Sequence, residues 1–136
     1  LEGLAARRAA ESAAARAARQ GSALIEAGRK AVASGSVPRM IAADMRFHEF
    51  LYELSGNPLV APTMATHLTY TQRVMGEVLL RDETPRDIWD QHELLLQAVA
   101  AGDGDAAEAI ARDHIVRAAT FMLERLAREA APTAAA

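Results

Sequence analysis

The sequence predicts an all-α protein, an antiparallel bundle of about six helices, and three observations carry that expectation. Alanine is abundant along the 136 residues, which favours helix and close packing, while three Phe, two Tyr and one Trp are the only large aromatics available to a core. No segment alternates apolar and polar side chains as a half-buried strand does. The breaks between apolar-periodic segments carry helix punctuation, in "SGNP", "DETP" and "AGDGD".

Taken in order, a first helix is expected over residues 2–18, with Leu4 and alanines in the repeating apolar positions. A second follows over residues 22–33, after an interruption at Gln20 and Gly21. Residues 34–38, "SGSVP", read as a loop. Residues 39–54 then place Met40, Ala43, Phe47, Leu51 and Leu54 at helical spacing. In "SGNP", Gly56 suits a helix end, Asn57 a cap and Pro58 the first turn of the next helix, which runs from Leu59 to about Leu80 with an irregular start at Pro62. "DETP" repeats the device, with Thr84 as N-cap, Pro85 at the first position and Asp87 placed for a capping box; that helix extends to about Ala101. Asp105, with Glu108 three residues on, is expected to cap a last helix reaching about Ala130, and "APTAAA" is a frayed tail.

A chain of this length makes one domain over residues 1–136, with no internal repeat and no second-domain boundary. Fifteen Lys and Arg against eighteen Asp and Glu leave a formal net charge of -3, unlike the basic footprint of an autonomous nucleic-acid binder. Cysteine is absent, which removes disulfides, thiolate metal sites and cysteine nucleophiles together. No secretory leader opens the sequence and no apolar run reaches the roughly 18 residues of a membrane span, so no membrane partner and a cytoplasmic location are expected. The opening lacks an initiating Met and begins directly in helix-forming residues, as a piece of a longer or processed chain would.

Against a bundle without chemistry stand four polar residues on inward faces. Asp44, Phe47, His48 and Leu51 fall at i, i+3, i+4 and i+7, so a carboxylate and an imidazole share or border an apolar stripe. His92 lies among Ile88, Trp89, Leu95, Leu96 and Val99, and His114 follows Ile110 by four and precedes Ala118 and Phe121. His67, beside Met64 and Leu68, has no clear orientation. A lone helical His is more often a hydrogen-bonded core or surface residue than a ligand. Convergence from three helices changes the balance, because a divalent cation compensates a buried carboxylate and three buried imidazoles at once. Three nitrogens and one oxygen suit a divalent transition metal, Zn or Ni first, then Mn, Fe or Co, and are softer than a usual Ca or Mg shell. Four protein ligands close a tetrahedral structural site, or leave room for water or a carboxylate in a five- or six-coordinate one.

Catalysis is not expected. HExxH is missing, no uncommitted carboxylate is placed as a general base (Glu93 points roughly a hundred degrees from His92), and no phosphate-binding glycine loop is present. A metal-dependent hydrolase and a helical dimerisation module with a purely structural metal are the alternatives to a ligand sensor.

"LEGLAARRAA", "DMRFHEFLYELSGNP" and "QHELLLQAVAAGDGDAAEAIARDH" together resemble the first helix, the Asp-x-x-x-His and Ser-Gly-Asn-Pro region, and the later His, Gly-Asp and His pattern of a known family. It is the C-terminal effector-binding and dimerisation domain (FCD type) of the FadR branch of GntR-family bacterial transcription regulators. The resemblance runs from Leu1 to about Leu126. It implies a metal held by Asp44, His48, His92 and His114, a small organic acid effector whose carboxylate approaches that metal, and a homodimer. It also implies Arg73 as an effector contact. Thr69 and Asn57 are further candidates, although Asn57 explains itself better as a helix cap. Full regulators of this kind carry an N-terminal winged helix-turn-helix domain that has no counterpart here. Direct nucleic-acid contact is therefore not expected of this segment, and operator DNA would be reached through that missing domain.

Overall fold

A computed structural model describes residues 1–79 and 85–131, with side chains described up to residue 77 and again from residue 88. Five helices follow one another without a strand among the described residues: α1 (Glu2–Ser34), α2 (Val37–Leu54), α3 (Val60–Leu79), α4 (Pro85–Ala100) and α5 (Gly104–Ala130). The all-α bundle is as expected. Helix α1 is its spine, packed along α2, α4 and α5, while α3 lies against the outer side of α2.

The expected interruption at Gln20 and Gly21 does not occur; the break between two helical stretches of α1 falls earlier, at Ala13. Gly21 serves packing: a Cβ built there would sit 2.3 Å from Leu96 Cδ1, so the missing side chain lets α4 approach α1. Gly28 does the same for Trp89, whose ring atoms lie 2.2 Å from where a Cβ would be. The helix instead bends at Ala13, which has φ -139° and ψ 24°. Its neighbour Ser12 donates a hydrogen bond to the Arg8 carbonyl at 2.6 Å, the back-bonding that bends helices.

Helix ends follow local chemistry. The Ser36 side chain accepts from the Arg39 N–H, with Pro38 in the first turn of α2. Gly56, at φ +70°, ends α2 in a left-handed conformation that other residues rarely adopt. Asn57 then caps locally, its side-chain oxygen accepting from the Leu59 N–H at 3.0 Å. At α5 the cap is Asp103, accepting from the Ala106 N–H at 3.0 Å, and not Asp105. Helix starts two residues earlier because Gly102 can supply the turn at φ +73°; Glu108 is then free to pair with Arg7 of α1 at 2.5 Å. The Thr84 cap, the end of the third helix at Leu80, the Asp87 side chain and the tail beyond residue 131 lie outside the described residues.

The core is formed by Phe47, Leu51 and Leu54 of α2, Trp89, Leu95, Leu96 and Val99 of α4, and the small residues Ala6, Ala9, Ala10, Ala17, Ala107 and Ala111 of α1 and α5. Alanine on both facing helices lets α1 and α5 lie close at the end where α1 begins. A smaller cluster of Ala5, Tyr52 and Val60, with Met64 and Leu68 beside it, fastens α3 to this end.

Candidate metal centre

Four inward polar residues predicted from helical phase come together. Asp44 and His48 lie one turn apart on α2, His92 on α4 and His114 on α5, and all four are buried. Ligand-capable atoms of the three imidazoles lie within 4.8 Å of one another. Asp44 reaches toward two of them, with Oδ2 3.6 Å from His48 Nε2 and Oδ1 3.3 Å from His92 Nε2. Two donors each about 2.1 Å from one ion stand about 3.0–3.4 Å apart when they are neighbours in its shell; the 3.3 Å pair meets that spacing, and the wider separations would close by a small side-chain adjustment around an ion.

His92 is the most telling member. It is fully buried, stacked on Phe47 with ring centroids 4.3 Å apart and set edge-on to Trp89 at 4.8 Å. Both its ring nitrogens lie buried without a hydrogen-bond partner. The 3.3 Å approach of Asp44 is close enough for electrostatic attraction but does not have hydrogen-bond geometry. A buried nitrogen left in this condition costs about 1–3 kcal/mol, and an ion bound to Nε2 removes the deficit at the side facing the cluster. Burial pushes its pKa down to about 3, a neutral imidazole with a lone pair to give.

The other two imidazoles are oriented from behind. His48 Nδ1 is hydrogen-bonded to Glu2 Oε1 at 2.5 Å, and His114 Nδ1 to Gln91 Oε1 at 2.7 Å. With Nδ1–H donated outward in each ring, Nε2 is left to face the cluster. Burial works to depress the His48 pKa, but the charge of Asp44 and the hydrogen bonds of Asp44 and Glu2 outweigh it and hold the group up to about 10. For Asp44 burial likewise acts to raise the pKa, and the neighbouring imidazoles, His48 foremost, more than reverse it, so the carboxylate stays charged. Burial and the His48 charge lower the pKa of His114. Without an ion His48 therefore carries a proton that a metal would have to displace from Nε2, and the cluster would then offer one carboxylate and three imidazoles, a composition that suits a transition metal.

Glu2 and Gln91 were not anticipated. Glu2 reads as an ordinary acidic residue in a first helical turn, where it suits the helix dipole. The available signal was phase: Glu2, Ala5, Ala6 and Ala9 fall at i, i+3, i+4 and i+7 on the buried face. Nothing local marks Gln91, whose partner lies on the next helix.

The remaining candidates are placed elsewhere. Arg73, Asn57 and Thr69 are all exposed. Among the described residues Arg73 makes no hydrogen bond or ion pair, Asn57 is engaged in its own turn, and the Thr69 hydroxyl donates to the Ala65 carbonyl at 3.0 Å. His67 is also exposed and does not join the cluster. An open groove of about 620 Å³ between α1 and α4, with Ala17, Ile25 and Leu96 along its floor and Arg29 and Glu93 at its rim, shares no residue with the cluster. Chemistry rather than concavity locates the site: the groove's Arg29 is already paired with Asp90 at 2.9 Å and Glu93 at 2.5 Å.

The helical bundle gathers three buried imidazoles and a carboxylate from three helices into a cluster that could hold a metal ion, and among the described residues no helix is long and apolar enough to cross a membrane. The chain belongs to the FCD domain family, whose sequence pattern matches residues 1–117. FCD domains of GntR regulators are ligand-sensing, non-catalytic modules, and this chain is accordingly not an enzyme. No curated protein matches the chain.

Proposed function

We propose that this chain is the sensor domain of a FadR-type transcription regulator, in which Asp44, His48, His92 and His114 hold a divalent transition metal and a small organic acid binds through that metal. The observation that carries the proposal is His92, buried with both ring nitrogens unpartnered inside a three-imidazole cluster. Zn and Ni suit the donor set best, with Mn, Fe and Co compatible. When bound, the metal supplies a Lewis-acidic position that attracts a carboxylate. The chain's own residues do the rest: Asp44 neutralises charge, Glu2 and Gln91 fix two rings, and Phe47 and Trp89 hold the third. Arg73 is the guanidinium on α3 available for a second carboxylate contact. In the parent protein this domain would dimerise and bias the placement of winged helix-turn-helix domains on operator DNA, with no nucleic-acid contact of its own.

A panel of small mono-, di- and hydroxycarboxylic acids, titrated into Co²⁺-loaded protein and followed by its visible spectrum, tests the sensor function. At least one acid should perturb the spectrum, and its binding should weaken at least tenfold in metal-stripped protein. Acid binding unaffected by metal removal would exclude coordination by the ion. Failure of every acid to perturb the spectrum would favour a purely structural metal.

A further inference from the structure

From the Glu2 contacts we infer that Glu2 is a positioning residue of the metal centre, fixing His48 for coordination and thereby tying the first turn of α1 to metal occupancy. The inference rests on the metal-site assignment above and adds a residue from a fourth helix to it. Glu2 is an acid only 8 % exposed, and both its carboxylate oxygens are used on one face of α2. Oε1 meets His48 Nδ1 at 2.5 Å, and Oε2 accepts from the Tyr52 hydroxyl at 2.6 Å, one helical turn further on.

Three consequences follow from that geometry. The carboxylate holds the proton of His48 on Nδ1, so the Nε2 lone pair is presented toward Asp44 and the other imidazoles. An anionic acceptor behind an imidazole also makes the opposite nitrogen a better donor to a cation. Finally, charge closes: a divalent ion with Asp44 and Glu2 as its two buried anions and three neutral imidazoles gives a neutral cluster, whereas removing Glu2's charge leaves a buried excess of positive charge. The neighbourhood leaves Glu2 little freedom to do otherwise. Ala5 and Ala6 beside it are buried, and Gly3 packs so closely against α5 that a Cβ there would come within 2.7 Å of Arg112 Cγ.

The test compares Zn²⁺ affinity, by competition with a chromophoric chelator, among the wild type, Glu2→Gln and Glu2→Ala, with the visible spectrum of each Co²⁺ form as a second readout. Glu2→Gln removes the charge but keeps an acceptor, and an affinity loss of about tenfold is expected; for Glu2→Ala the loss should approach a hundredfold. The Co²⁺ spectrum should shift in both as the His48 ring is freed. A merely structural Glu2 would lower the Tm of the metal-free protein while leaving Zn²⁺ affinity and the Co²⁺ spectrum of the folded protein unchanged, and that result would overturn the inference. Should neither variant fold, ¹⁵N NMR of Zn²⁺-loaded wild type decides: His48 coordinated through Nε2 with a protonated Nδ1 supports the assignment, and coordination through Nδ1 refutes it. Absence of Zn²⁺ binding by the wild type would instead refute the metal site itself.

Discussion

At the scale of single residues, the cluster shows how environment sets the chemistry of identical side chains. His92 and His48 start from the same ordinary pKa of 6.5 and end at opposite extremes, about 3 and about 10. Burial dominates for His92; for His48 burial is outweighed by Asp44 and Glu2. Each has a stability consequence in the metal-free protein. Below pH 6.5 the unfolded chain takes up a proton at His92 that the folded chain refuses until about pH 3, so stability falls as pH drops through that window. The proton on His48 is retained by the folded chain up to about pH 10 and lost by the unfolded chain above 6.5. Its stabilisation is therefore complete below 6.5 and disappears as pH rises toward 10. Chelator-stripped protein should show its highest Tm near pH 6.5, with lower values at about pH 4.5 and about pH 9. A Tm that climbs steadily across that range would contradict these assignments. Asp44 and the three His were legible in the sequence because helical phase places them inward one by one. Phase also places Glu2 inward, but its partner His48 and the His114 partner of Gln91 lie on other helices, so the roles of Glu2 and Gln91 were not legible.

Among the elements, α1 and α4 carry the least obvious part of the design. Gly21 reads in sequence as an interruption, whereas Gly28 lies inside an expected helix. In the fold they are sites of close approach within the helical stretch of α1 that follows the bend at Ala13. Propensity argued locally, and tertiary packing overrode it. The cap of α5 was misplaced for a related reason: of two acidic residues flanking Gly104, Asp103 has the turn geometry to reach the Ala106 N–H. Gly28 has a functional reach as well, since it seats Trp89, and Trp89 stands edge-on to His92. Replacing a mid-helix glycine by alanine ordinarily stabilises by about 1 kcal/mol. Here Gly28→Ala drives a methyl into the Trp89 ring, and overpacking should destabilise by about 1–3 kcal/mol. Thermal unfolding should show the lower Tm, and metal titration a weaker site as Trp89 shifts against His92. A Tm equal to or above the wild type would mean that α1 and α4 are not packed as described.

For the whole molecule, the bundle's topology is what turns scattered polar residues into a site. The all-α class was legible from alanine content, missing strand alternation and helix punctuation, and those signals are local. The meeting of α1, α2, α4 and α5 around the cluster is not local, and from sequence only the demand for compensation of four buried polar groups pointed to the convergence of three of them. Membership of the FCD family over residues 1–117 is consistent with a ligand-sensing regulatory domain. The central claim is that the four inward residues bind one ion together. Metal analysis of untagged protein, exposed to Zn²⁺ or Ni²⁺ and then freed of unbound ions, tests it most directly when set beside His92→Ala. About one divalent ion should be retained per wild-type chain and most of it lost in the variant. A wild type that retains no ion, or a variant that retains as much, would contradict the account.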